Sequence, residues 1–232
     1  MKAVVYAGYG TTPALTEVPD PACPADGVVI AVGLGCRFAT AFRAVTAHGR
    51  VRPGDWLAVH GCGGVGLSAV MIGTALGARV LAVDVSAAAL DRARELGAEV
   101  AVDAGMTGLP AAIAEVTGGG AHVSIDALGS PALAADSVRC LRRRGRHVQI
   151  GLLPNGPVPL PMDLVIAREL EIYGSHGMAA RDYPAMLAMV ADGTLRPGLL
   201  LGEVIGLEDV GRALAAMDGP TPAGMTVVRL GG

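Results

Sequence analysis

A glycine-rich turn between an apolar strand and an apolar helix constrains this chain more than any other feature. Gly61, Gly63 and Gly66 follow the apolar run Trp56–His60 and open a helical segment that continues to Ala78. This pattern is typical of a dinucleotide-binding turn. The first glycine permits the tight turn, the second lets the backbone approach a pyrophosphate, and the third lets helix and strand pack closely. The start of the helix would offer free N–H groups and a positive dipole to the phosphates.

Asp84 ends the next apolar run, Arg79–Asp84, at the distance from the turn that a ribose-binding acid requires. Its carboxylate would accept hydrogen bonds from the ribose hydroxyls and repel a 2′-phosphate, and residues 85–89 contain no arginine. The sequence therefore predicts NAD(H) as the cofactor in preference to NADP(H). Two simpler interpretations stay open: the glycines serve only a tight turn, and Asp84 only caps a strand end.

The middle of the chain alternates short apolar runs with helical segments. Beyond the first two strands, the pattern predicts strands at 100–102, 122–126, 145–150 and 170–173, with helices at 87–96, 109–116 and 131–141. Strands that are apolar along their length and separated by helices indicate a parallel sheet covered on both faces. The predicted fold class is α/β, a doubly wound parallel Rossmann sheet of six strands, with a remnant of a second, mostly β domain built from the two termini.

The flanking segments differ from the middle and set the predicted domain boundaries. Residues 33–177 form the predicted NAD-binding Rossmann domain, and residues 1–32 and 178–232 form the remnants at the two ends. The first remnant has strand-like runs at 2–6 and 28–32. The last has predicted helices at 181–192 and 207–218 and a predicted strand at 226–230.

Composition excludes several classes of protein. A chain that is 52% hydrophobic and 17% charged is not disordered, and a net charge of −3 gives no reason to expect nucleic acid. The arginine-rich stretch 142–146 is interpreted as a helix end, where arginines complement the dipole. Residues 56–78 carry no charged side chain, but their six glycines favour a strand, a turn and a buried helix over a membrane span. Four widely spaced cysteines fit free thiols and a cytoplasmic location.

Five short segments carry a resemblance to a known family. They are residues 35–42, 51–55, 59–66, 93–98 and 174–177. The chain is similar to the zinc-type alcohol dehydrogenases of the medium-chain dehydrogenase/reductase family, over nearly all of residues 33–232. This resemblance implies an NAD(H)-dependent oxidoreductase that transfers a hydride between an alcohol and an aldehyde or ketone.

The resemblance also implies which residues contact the cofactor. Val65 lines the nicotinamide pocket, Ala127 and Leu128 flank the adenine, and backbone groups at Leu152 and Ser175 hold the carboxamide. With the turn and the ribose acid, the implied cofactor-binding residues are Gly61, Gly63, Gly64, Val65, Gly66, Asp84, Ala127, Leu128, Leu152 and Ser175.

The sequence departs from the family where the catalytic machinery is expected. The family continues from a strand matching 28–32 into a GroES-like barrel that carries most zinc ligands, whereas here Val32 runs directly into Gly33. We therefore expect a chain that lacks most of the catalytic domain. Cys36 matches one ligand of the catalytic zinc. Three protein ligands are needed for such a site, so zinc is not expected.

The remaining candidates for catalysis are His176 and Thr40. His176 lies nearest to the expected nicotinamide by motif position, and Thr40 matches a residue that lines the same pocket. His60, His48 and Tyr173 are weaker candidates, because a strand end and a helix end explain the two histidines better than catalysis does.

Two functions from different classes stay open at this point. The first is a truncated NAD(H)-dependent dehydrogenase acting on a small alcohol, aldehyde or ketone. The second is a dinucleotide-binding Rossmann scaffold with little or no catalytic activity. Neither a nucleic acid nor a membrane is an expected partner. A homodimer or homotetramer is expected, because the family pairs its subunits through the strand that matches residues 170–174.

Overall fold

The computed structural model describes residues 2–5, 14–17, 36–153, 157–216 and 225–229. The chain divides into two compact units, one made of residues 34–197 and the other of residues 1–33 with 198–232. Residues 178–197, which the sequence analysis grouped with the carboxyl-terminal remnant, fall within the larger unit.

The larger unit is built on a parallel sheet of six strands, which confirms the predicted fold class. Its strands are β3 (Trp56–His60), β4 (Arg79–Asp84), β5 (Val100–Asp103), β6 (Ala121–Asp126), β7 (Leu141–Gln149) and β8 (Glu171–Gly174). They are arranged in the order β5-β4-β3-β6-β7-β8. The chain reverses its direction of travel across the sheet between β3 and β6. In open sheets of this kind, ligands bind at the carboxyl ends of the strands beside that reversal.

Helices precede, connect and follow these strands. They are α1 (Cys36–Arg43), continued by a π-helical turn Ala44–His48, and then α2 (Gly64–Ala75), α3 (Ala87–Glu95), α4 (Leu109–Thr117), α5 (Pro131–Arg139), α6 (Met162–Arg168) and α7 (Tyr183–Ala191). Helices α2 to α6 form the connections. Local sequence accounts for their ends: the Ser86 hydroxyl accepts the Ala89 N–H at 3.3 Å and caps α3. No helix within these described segments is long and apolar enough to cross a membrane.

The core lies where β3 and β4 are covered on both faces. All five residues of β3 are buried, as are the four central residues of β4. Trp56 is only 4% exposed, and the guanidinium carbon of Arg79 lies 4.0 Å from the centre of its ring. Gly73 of α2 lets that helix approach the sheet closely, because a Cβ there would lie 2.5 Å from Leu57 Cδ2.

The arginine-rich stretch was placed wrongly by the sequence analysis. Helix α5 ends at Arg139, and residues 142–146 belong to β7, which begins at Leu141. Leu141 is fully buried and pairs with Ala121, after which the register shifts until Arg146 pairs with Val123. A bulge of this kind, with Arg144 at a φ of +60°, lets exposed arginines occupy a strand that starts and ends in the core.

The smaller unit contains two short sheets. β1 (Lys2–Val5) pairs antiparallel with β2 (Ala14–Glu17), and β9 (Leu201–Gly206) pairs parallel with β10 (Met225–Arg229). β1 and β10 match predicted strands, whereas β2 and β9 were not predicted. Helix α8 (Val210–Ala215) lies within the helix predicted at 207–218. The strand predicted at 28–32 lies outside the described residues.

Candidate functional site: a dinucleotide-type crevice

The turn after β3 is possible only with glycine at two of its positions. Gly61 has a φ of +89°, and a Cβ there would lie 3.1 Å from Leu128 Cβ. At Gly66 a Cβ would lie 1.7 Å from the carbonyl oxygen of Gly61. The first glycine therefore forms the turn, and the third lets α2 pass directly over the turn's backbone.

Gly63 has a different surrounding from the other two glycines. A Cβ at Gly63 would meet no protein atom within 4 Å, so this position borders open space. Gly63 precedes α2, and no side chain caps the helix start; its first turn contains no acidic residue. Gly64 and Val65 form that first turn and are half-buried. An exposed helix start beside open space fits a bound pyrophosphate.

Asp84 ties the turn to the next strand. Its Oδ2 accepts the Cys62 N–H at 2.6 Å, and its Oδ1 accepts the Ser86 N–H at 2.9 Å. Each carboxylate oxygen has a second lone pair, so the half-buried Asp84 can accept further hydrogen bonds. Asp84 therefore fixes the turn against β4 and keeps acceptor capacity at the carboxyl end of that strand. Asp103 is its neighbour in register on β5.

The far wall of the crevice consists of the loops that follow β6 and β7. The two backbones touch at Gly129 and Gly151, since a Cβ on Gly151 would lie 2.2 Å from the Gly129 nitrogen. Two leucines stand out from these loops, with Leu128 62% exposed and Leu152 84% exposed. Ala127 precedes the first of them, and its N–H donates to the His60 carbonyl at 2.8 Å. Exposed apolar side chains beside the turn suit flat, partly apolar ring systems.

Ser175 brings an unused polar group to the same edge. The residue is 6% exposed, its N–H donates to the Gln149 carbonyl at 2.9 Å, and within the described residues its hydroxyl has no hydrogen-bond partner. A buried hydroxyl without a partner is costly unless a ligand supplies one. The carboxamide of a bound nicotinamide would be such a ligand.

The structure brings the two predicted catalytic candidates, Thr40 and His176, into the same region as Cys36, which matches a ligand of the family's catalytic zinc. The Gly177 N–H donates to Thr40 Oγ1 at 3.0 Å, which fixes the segment carrying the exposed His176 beside α1. Cys36 lies one turn before Thr40, with 3.8 Å between the sulfur and Oγ1. Thr40 itself is buried.

The described residues do not fit a zinc site. No group of three or more His, Cys, Asp or Glu side chains within the described segments is placed to bind a metal ion. Cys62 and Cys140 are buried, and burial raises the pKa of each thiol to about 12, so neither supplies a thiolate. Cys23 lies outside the described residues. We derive no step through zinc.

The two histidines that are weaker candidates for catalysis are both held by contacts within the protein. His60 ends β3 with no exposed surface, its Nε2 lies 3.6 Å from Cys140 Sγ, and burial lowers its pKa to about 3. His48 ends the π-helical turn and stacks on Tyr173, with ring centres 5.4 Å apart. Burial, and then the nearby Arg43, lower the pKa of His48. His60 is therefore not a suitable proton acceptor for a substrate.

Sequence reasoning missed one polar residue of the crevice. Asp126, the last residue of β6, is fully buried, and its Oδ1 accepts the N–H groups of Leu128 at 2.8 Å and Gly129 at 2.9 Å. A charged residue ending an otherwise buried strand was the available signal. Asp126 holds in place the loop that the resemblance assigns to the adenine.

The amino-acid sequence is similar to those of known dehydrogenases. Residues 64–192 match the family model described as zinc-binding dehydrogenase. An alcohol dehydrogenase of Geobacillus stearothermophilus is 29% identical over 227 residues, which are 97% of this chain and 64% of that protein. The geraniol dehydrogenase of Castellaniella defragrans is 41% identical over 129 residues, 54% of this chain and 35% of that protein.

Solved structures of alcohol dehydrogenases also resemble this chain. The crystal structure of an NAD-dependent alcohol dehydrogenase superposes with a TM-score of 0.76 at 29% identity, covering 84% of this chain and 57% of that one. In each comparison the chain spans less than two thirds of the relative's length. The fold defines a Rossmann-like α/β protein. More particularly, the chain belongs to the zinc-binding dehydrogenases, in the alcohol dehydrogenase branch of the medium-chain dehydrogenase/reductase family.

Proposed function

We propose that this chain binds NAD(H) and acts as an oxidoreductase of the alcohol dehydrogenase type, on a small alcohol, aldehyde or ketone. The observation that carries the proposal is the turn after β3. Its first and third glycines are required by the protein's own packing, whereas its second borders open space at an exposed helix start. Packing explains two of the three glycines, and a bound pyrophosphate explains the third.

Each part of the cofactor has a residue of suitable chemistry in the crevice. The first N–H groups of α2 would hold the pyrophosphate, and Asp84 would accept the adenosine ribose hydroxyls. Leu128 and Leu152 would cover the rings, and the Ser175 hydroxyl would bond the carboxamide. When bound, NAD⁺ accepts a hydride from the alcohol carbon, and NADH returns one to a carbonyl carbon.

Thr40 and His176 are the residues we assign to the substrate proton. Because Thr40 Oγ1 accepts the Gly177 N–H, its own proton can be donated to Cys36 Sγ or to a substrate oxygen. His176 is exposed and adjoins this hydroxyl through the Gly177 backbone, so its ring can exchange a proton with water. As the hydride transfers, the His176 ring would accept the alcohol proton and pass it to water, while Thr40 would donate a hydrogen bond to the substrate oxygen.

The binding part of the proposal is tested by calorimetric titration with NADH and NADPH. The wild type is expected to prefer NADH, and Asp84→Ala to reduce that preference about tenfold, since hydrogen bonds to a charged group contribute about 1.5–3 kcal/mol. Asp103→Ala is the matched control. Asp103 lies at the same end of the sheet as Asp84. Its Oδ1 accepts the N–H of the residue two positions later, Gly105, at 2.8 Å, as Asp84 Oδ1 does with Ser86. A wild type that binds neither nucleotide would refute the proposal.

Turnover separates the dehydrogenase from a scaffold that only binds nucleotide. NADH absorbance is followed with NAD⁺ and a panel of primary, secondary and benzylic alcohols, with and without a chelator. Turnover that survives the chelator and falls in His176→Ala supports the assigned proton route. Normal NADH binding without turnover would leave the nucleotide-binding scaffold as the function of this chain.

A homodimer is part of the same proposal. β8 is the last strand of the sheet order, and beside it lie exposed apolar side chains of the strand and of α6. Ile172 is 36% exposed, Met162 53% and Ile166 77%. An exposed edge strand with an apolar border suits pairing with the same strand of a second copy.

A further inference from the structure

One carboxylate and one amide join the loops that form the far wall of the crevice. Asp126 and Gln149 are register partners at the ends of β6 and β7. Gln149 Nε2 donates to Asp126 Oδ2 at 2.9 Å and to the Gly151 carbonyl at 2.8 Å. Because Asp126 Oδ1 holds the N–H groups of Leu128 and Gly129, the pair connects the loop after β6 to the loop after β7.

A buried histidine fixes the orientation of the Gln149 amide. His147 Nδ1 lies 3.1 Å from Ser124 Oγ and 3.2 Å from Ser137 Oγ, and its Nε2 lies 3.2 Å from Gln149 Oε1. Burial lowers the pKa of His147, so the ring is neutral and one nitrogen carries the proton. The serine hydroxyls can donate to Nδ1, which leaves Nε2–H to donate to Gln149 Oε1. The NH₂ group then faces Asp126.

We propose that Asp126 and Gln149 are positioning residues for the cofactor, and this inference rests on the proposed binding of NAD(H). The pair sets the separation between the loop carrying Leu128 and the loop carrying Leu152. The backbone of Gln149 also receives the Ser175 N–H, so the segment assigned to the carboxamide joins the same arrangement. The nicotinamide half of NADH spans these loops, whereas the adenosine monophosphate half needs only the turn, Asp84 and the first loop.

The test compares NADH with AMP, a probe that lacks the nicotinamide half. In Gln149→Met, which keeps the length of the side chain but loses its hydrogen bonds, the Kd for NADH is expected to rise about tenfold. The Kd for AMP should stay within twofold. Thr117→Val is the matched control, because the Thr117 hydroxyl is also buried, donates to the Ile113 carbonyl at 2.6 Å, and lies before β6, at the opposite end of the sheet from the two loops. It should leave both constants within twofold.

A second variant separates positioning from folding. Gln149→Glu keeps the oxygen that His147 uses but places a second carboxylate against Asp126, so at pH 7–8 it should weaken NADH and spare AMP. The proposal is overturned if both variants bind NADH as the wild type does. It is also overturned if NADH and AMP weaken in parallel, which is the result expected of a general loss of structure.

Amide hydrogen exchange supplies a readout that needs no cofactor. The four amides held by Asp126 are those of Leu128, Gly129, Ile150 and Gly151. They should exchange faster in Gln149→Met than in the wild type and be unaffected in Thr117→Val. A wild type that binds neither NADH nor AMP would refute the proposed function. In that case hydrogen exchange alone would test whether Asp126 and Gln149 couple the two loops. Unchanged exchange rates in Gln149→Met would overturn that coupling.

Discussion

At the scale of single residues, the turn after β3 places opposite demands on neighbouring glycines. Gly66 is confined by the protein itself, since the carbonyl oxygen of Gly61 occupies the place of its side chain. Gly63 is confined by nothing in the described residues, and in the proposed function the bound pyrophosphate accounts for a glycine there. An added methyl group should therefore affect folding at Gly66 and nucleotide binding at Gly63.

The prediction at this scale concerns those two methyl groups. Gly66→Ala should lower the free energy of unfolding by about 1–3 kcal/mol, as overpacking does, and weaken NADH through a distorted turn. Gly63→Ala should leave the free energy of unfolding within about 0.5 kcal/mol of wild type, as a surface substitution does, and still weaken NADH. Urea denaturation and NADH titration measure the two effects. Equal loss of stability in both variants would contradict this account.

The residues of the site were predictable from sequence to different degrees. Gly61, Gly66 and Asp84 follow from spacing, because the tight turn and the strand that follows it are local features. The bond between Asp126 and Gln149 was not predictable, since it depends on the register of β6 against β7. That register is set by a bulge in β7. The bulge was not predictable, because the run of arginines in β7 resembles the end of a helix.

At the scale of elements, the strands of the sheet were predictable wherever burial on both faces makes the middle of a run mostly apolar. β3, β4 and β6 are of this kind. β9 alternates glycine with apolar and acidic residues and is mostly exposed, and β2 has four residues in a proline-rich stretch. Such strands form through pairing with a partner, so their own residues give little signal.

The carboxyl end of the central strand β3 supports a prediction about pH. His60 is neutral when folded because its pKa is about 3, whereas the unfolded chain has the ordinary value of 6.5. Between these values the unfolded state binds more protons, so stability is full above pH 6.5 and is lost as the pH falls towards 3. From pH 7 to pH 4 the loss from His60 should be roughly 3 kcal/mol.

The measurement is urea denaturation across that pH range in wild type and His60→Leu. The variant should show a shallower fall in the free energy of unfolding, even if it starts lower at pH 7. His176→Ala removes an exposed histidine and serves as the control, with the wild-type slope. A His60→Leu slope equal to that of wild type would show that His60 is not held neutral by burial.

At the scale of the whole molecule, the proposed pairing through β8 predicts a dimer at micromolar concentration by multi-angle light scattering. Ile166→Glu, which puts a charge on a side chain that is 77% exposed, should shift the mass towards the monomer. Val85→Glu is the matched control, because Val85 is 75% exposed and follows β4, away from β8 in the sheet order. A monomeric wild type would contradict the pairing.

The placement of Trp56 gives this protein a built-in optical reporter. It is the sole tryptophan of the sequence, it starts the central strand, and it is 4% exposed beneath the Arg79 guanidinium. The glycine turn lies at the other end of the same strand, so the wavelength of the indole emission maximum reports the integrity of the sheet around Trp56. A red shift in fluorescence therefore marks global opening, and nucleotide titrations can be followed by NADH emission in the same cuvette.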